Sequence, residues 1–84
     1  MCNAITFSLD VAGSGKGADG WFALRQAQVY HDHPFHATME DALIIDFMNQ
    51  EMGPSARVAV ELSAESAREL VRMINEALAT AHPH

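Results

Sequence analysis

The apolar residues of this chain keep a period of two as far as Leu62 and a helical period after it. That single change divides the sequence into strands followed by one helix. Ile5, Phe7, Leu9 and Val11 alternate with Thr6, Ser8 and Asp10 over Ala4–Val11, the pattern of a half-buried strand. Trp21 to His31 resumes a β composition with Phe22, Leu24, Val29 and Tyr30, and its alternation slips near Gln26, which predicts a bulge. Asp41–Met48 is apolar on both faces, so it is either a central strand or one whose second face another subunit covers. Arg57–Leu62 alternates again, with Val58, Val60 and Leu62 inward.

Beyond Leu62, Ser63 is placed as an N-cap with Glu65 in the first turn, where a carboxylate suits the helix dipole. Ala67, Leu70, Val71, Ile74, Ala77 and Leu78 then recur at helical spacing, Glu65, Glu69, Arg72 and Glu76 mark the outer face, and Pro83 ends the segment. The predicted order is ββββα: an α+β domain in which a four-stranded antiparallel meander carries one C-terminal helix on one face, a single domain over residues 1–84. One helix covers only one face of such a sheet. The other face would hold Ala42, Ile44, Asp46 and Met48 with Ala59 and Glu61, a mixed surface that predicts a homodimer.

Composition bounds the function classes. With 84 residues, 49% apolar and 19% charged, the chain is an ordinary globular protein. At that size about 60% of the unfolded surface is buried, so a partner subunit would help. A formal charge of −6 argues against nonspecific nucleic-acid binding, and no Lys or Arg occurs between Arg25 and Arg57. The apolar runs are too short for a membrane span, and Met1-Cys2-Asn3-Ala4 has no basic start of a secretory leader. A soluble, cytoplasmic protein is expected. Cys2 is the one cysteine, which excludes an internal disulfide and agrees with a reducing compartment.

Gly13-Ser14-Gly15-Lys16-Gly17-Ala18-Asp19-Gly20 reads as a flexible hairpin connection. Its Gly-Lys pair resembles the end of a phosphate loop, but Gly17 replaces the Ser or Thr that such a loop needs, and a strand follows instead of a helix. Trp21 and Phe22 are expected in the core. His82 and His84 read as a frayed tail, and Cys2 as a plain edge-strand residue.

Chemistry concentrates in Tyr30-His31-Asp32-His33-Pro34-Phe35-His36, followed by Glu40, Asp41 and Asp46. Imidazoles and carboxylates bind divalent metals and exchange protons near neutral pH. Residues two apart on a strand lie about 6.5 Å apart on one face, so His31 and His33 could share an ion, with His36 and Glu40 brought in by the turn at Pro34. His31, His33, His36 and Glu40 are the metal candidates, and zinc, iron, nickel or copper suits their donors. Without a metal, Asp32 or Asp46 could orient His33 for proton transfer, with Tyr30 donating to a developing oxyanion. Asp46 sits in the most apolar strand and needs a partner, for which a histidine of the neighbouring strand is the obvious candidate and a hydrogen bond across a dimer interface an equally ordinary one.

Val29-Tyr30-His31-Asp32-His33-Pro34-Phe35-His36-Ala37 resembles a group of short actinobacterial proteins, domain of unknown function 6295. The likeness extends to the Met1-Cys2 start, Gly13–Gly17, Gly20-Trp21-Phe22, Ile45-Asp46-Phe47 and Gly53-Pro54 leading to Ala56–Leu62. It implies Asp32, His33, Pro34, His36, Glu40 and Asp46 as the polar signature, and no activity. The position after the glutamate, often histidine in that pattern, is Asp41 here. His31 is less typical of the pattern, which ranks it below His33 and His36.

The favoured expectation is a small metal-binding protein, with metalloenzyme activity within its scope. The competitors are a metal-free His/Asp acid-base enzyme (lyase, isomerase or cyclase) acting on a small metabolite, and a non-enzymatic dimeric binding module. A homodimer and a small-molecule ligand are the expected partners, with neither nucleic acid nor membrane among them.

Overall fold

Ser63 marks the change of period in three dimensions: its hydroxyl accepts from the Ser66 N–H at 3.1 Å, and helix α1 follows over Ala64–Thr80. The computed structural model describes residues 5–32 and 41–80. Before the helix come β1 (Phe7–Gly17), β2 (Gly20–Asp32), β3 (Ala42–Met48) and β4 (Arg57–Leu62). They form one antiparallel sheet in the order β1-β2-β3-β4, the predicted ββββα architecture. No helix among the described residues is long and apolar enough to cross a membrane.

The glycine run departs from the expected flexible connection. Gly13 to Gly17 is paired strand, from Gly13 opposite Leu24 to Gly17 opposite Gly20, and the reversal is confined to Ala18 and Asp19. Gly20 takes φ +112°, a conformation that glycine adopts without steric penalty. The predicted bulge lies at the expected height but on the other strand: register shifts between Asp10 and Gly13 in β1, opposite Gln26 and Leu24. Two residues of β1 there face one of β2, which bends and twists the pair.

Pairing of β2 with β3 stops at Gln26 opposite Met48, so the β1–β2 hairpin continues past the end of β3. The sheet curls there, bringing Gly15 close to Leu24 and Val58, and Gly17 close to Phe22 and the Ser55 carbonyl. The expectation that Trp21 and Phe22 are both core is corrected. Phe22 is 8% exposed and Trp21 71%, because neighbouring residues of a strand point to opposite faces.

Burial across β3 is the reverse of what the sequence suggests. Ala42, Ile44 and Asp46, on the face expected to be uncovered, are all buried. The helix lies over the opposite face, and none of its residues is buried. Phe7 and Leu9, on that face through pairing with Val29 and Ala27, remain 66% and 54% exposed. Val60, opposite Ile45, is exposed as well.

Candidate functional site

Two sites follow from this sheet, one on each face. On the face away from the helix, Gln28 and Ala59 flank Asp46 directly, and the residues that bond it are their diagonal neighbours, Tyr30 on β2 and Arg57 on β4. Diagonal positions across an antiparallel pair are within reach of long side chains, and a central strand has them on both sides. Arg57 donates from Nε (3.1 Å) and Nη2 (2.7 Å) to Asp46 Oδ1, and the Tyr30 hydroxyl donates to Oδ2 at 3.4 Å. Burial, and then the charge of Asp46, push the Tyr30 phenol above its ordinary pKa, and Arg57 only partly offsets this.

The expected histidine partner of Asp46 is therefore replaced by Arg57. In the sequence pattern Arg57 is simply the first residue of an alternating strand. The register needed to find it is two residues from the position opposite Asp46, and a single sequence does not print that register. Chemically, the guanidinium holds one carboxylate oxygen and the phenol the other. A carboxylate so held has to leave a charge-assisted hydrogen bond before that oxygen can take a metal ion. Tyr30 stays protonated at neutral pH and serves as a donor.

Of the proposed catalytic set, Tyr30 and Asp46 come together, whereas His33 lies outside the described residues. His36 and Glu40, proposed as metal ligands with His33, also lie outside them. His31 is described and is exposed on the helix side of β2, opposite Leu43, so it does not share a site with Asp46. Among the described residues no three His, Cys, Asp or Glu side chains gather as a metal-binding group.

The helix-side face carries the second site, a trough of about 460 Å³ between α1 and the sheet. Its floor is Val29, Leu43, Ile45 and Leu62, and its helical wall includes Leu70, Val71 and Ile74. His31 and Arg68 contribute polar groups. The apolar stripe of the helix, read from the sequence as core, lines this opening without closing it.

The sequence profile of the family of unknown function DUF6295 matches residues 1–84. The chain belongs to DUF6295. No curated protein and no solved structure matches it. For this member of DUF6295, function is argued from the two faces just described: a polar cluster closed on itself, and an open apolar trough.

Proposed function

We propose that this DUF6295 protein is a small non-enzymatic binding module whose binding surface is the trough between α1 and the sheet. The observation carrying this reading is the pairing of an open trough with a satisfied polar cluster. Leu70, Val71 and Ile74 face an opening with no buried residue anywhere on the helix. Asp46 meanwhile has its oxygens engaged by Arg57 and Tyr30. Apolar side chains gathered and left exposed on one face, as Leu70, Val71 and Ile74 are, are the usual mark of an interaction surface.

An environment-sensitive apolar dye tests the reading at low protein concentration. Saturable dye binding that Ile74→Glu removes and Asp46→Asn preserves is the expected result. Dye binding that is absent in the folded wild-type protein overturns it.

Metal ligation by His33, His36 and Glu40, with His31, is the second reading, and the crowding of histidine in a window without Lys or Arg favours it. Metal analysis of tag-free protein purified without chelator separates the two. A near-stoichiometric transition metal that is lost in His33→Ala and His36→Ala restores the metal reading. Less than a few tenths of an equivalent removes it.

A further inference from the structure

We infer that the occupant of the trough is a second copy of this chain, so that the helix-side face is a homodimer interface. This rests on the binding-module reading and names its partner. The chain exposes 6577 Å², whereas a compact monomer of 9.2 kDa exposes about 4,900 Å². Its radius of gyration is 14.3 Å, against about 12 Å for a compact domain of 84 residues. The excess, about 1,600 Å² per copy summed over the whole chain, is about twice the roughly 800 Å² that each partner contributes to a stable interface.

The exposed apolar residues have the arrangement that a two-fold interface requires. Phe7, Leu9 and Val60 lie on the sheet face that α1 overhangs, by their pairing with Val29, Ala27 and Ile45. Leu70, Ile74 and Leu78 form the helical stripe beside them, and Leu78, 69% exposed, projects past the trough lining. Each copy thus offers a ridge and a floor on one side, and an isologous contact can seat the ridge of one on the floor of the other. Arg68 lines the trough with no ion pair among the described residues. Each copy carries a formal charge of −6, so apolar contact has to drive the association.

The face is opposite to the one that the sequence pattern suggests for self-association. Burial decides between them: Ile44 is 3% exposed on that face, and Phe7 66% on this one.

Sedimentation equilibrium of the full chain from low to high micromolar concentration, with hydrogen exchange followed over the same range, tests the inference. The expected result is a dimer mass, with exchange in residues 67–78 slowing as the dimer forms. Leu78→Glu should weaken association at least tenfold while helical circular dichroism is retained, and Met52→Glu, at an exposed site outside the trough lining, should leave it unchanged. If Leu78→Glu fails to fold, the concentration-dependent protection of residues 67–78 in the wild type carries the test.

A wild-type chain that is monomeric throughout overturns the inference. So does a dimer whose protection falls on other segments and spares the helix. A monomer that still binds the apolar dye would remove the second copy and leave the binding-module reading standing. A monomer that binds no dye would remove both.

Discussion

Arg57 places two nitrogens on one oxygen of Asp46, at 3.1 and 2.7 Å, yet the two side chains differ sharply in burial, 53% exposed for the arginine and 6% for the aspartate. The pair is consequently asymmetric in what its loss costs. Arg57→Leu strands a buried carboxylate beside Ile44 and Ala42, a penalty of about 2–3 kcal/mol even after allowing for the solvent access of the guanidinium. Asp46→Asn leaves an arginine that rehydrates, and should cost only about 1 kcal/mol. Urea denaturation of the two variants checks the order. Equal losses would show that burial of Asp46 does not control the pair.

Tyr30 gives the cluster a pH signature. Its phenol is raised above the ordinary value of 10.0 by burial and by the Asp46 charge. Between the unfolded and folded pKa values the native state holds a proton that the unfolded chain has lost, so stability is fully present below pH 10 and falls as pH rises through the folded pKa. Tyr30 is the one tyrosine of the chain, so ultraviolet titration reads it without overlap. The wild type should titrate later than unfolded protein, and Tyr30→Phe should flatten the alkaline limb of the stability curve. Coincident folded and unfolded titrations would remove the coupling to Asp46.

The architecture is legible in the sequence because periodicity is local: Arg57–Leu62 and the helix after Ser63 are each read from alternation or spacing within a few residues. What escapes the sequence depends on register and on tertiary closeness. Arg57 meets Asp46 through a diagonal that only the β3–β4 alignment defines. The exposure of Leu70, Ile74 and Leu78 was likewise hidden, since an apolar stripe has the same pattern whether it faces its own sheet or another chain. His33, His36 and Glu40, the favoured chemical residues, rest on composition alone.

The glycine-rich β1–β2 hairpin should be sensitive at Gly17 and tolerant at Gly15. A Cβ built on Gly17 meets Phe22 Cε1 at 3.1 Å and the Ser55 carbonyl oxygen at 3.3 Å, and neither a packed ring nor a backbone carbonyl gives way easily. On Gly15 the nearest atom is Leu24 Cδ2 at 3.0 Å, the end of a flexible side chain that can rotate away. Gly17→Ala is expected to cost about 1–2 kcal/mol as an overpacking change, and Gly15→Ala less. Thermal denaturation of both variants is sufficient. Greater damage at Gly15 would mean that the curl of the hairpin toward Ser55 is not what the two glycines serve.

Asn49 ties that same hairpin to the turn between β3 and β4. It is buried, with Nδ2 donating to the Ala23 carbonyl at 2.9 Å and Oδ1 accepting from the Glu51 N–H at 3.1 Å. Its own N–H donates to the Ala56 carbonyl at 3.0 Å. The side chain therefore satisfies one backbone acceptor of β2 and one donor of the 3₁₀ turn over Gln50–Met52, in a place where Gly53 at φ +95° lets the chain double back. Asn49→Leu leaves both groups without that partner and should cost about 2–4 kcal/mol. Asn49→Asp keeps the acceptor but cannot donate to Ala23, placing a carboxylate against a carbonyl oxygen, so it should be destabilising near neutral pH and partly recover as the pH falls and the acid regains a proton. Denaturant midpoints across that pH range measure the difference between Asp and Leu at this position. An Asn49→Asp variant as stable as the wild type near neutral pH would show that the acceptor to Glu51, and not the donor to Ala23, holds the hairpin in place.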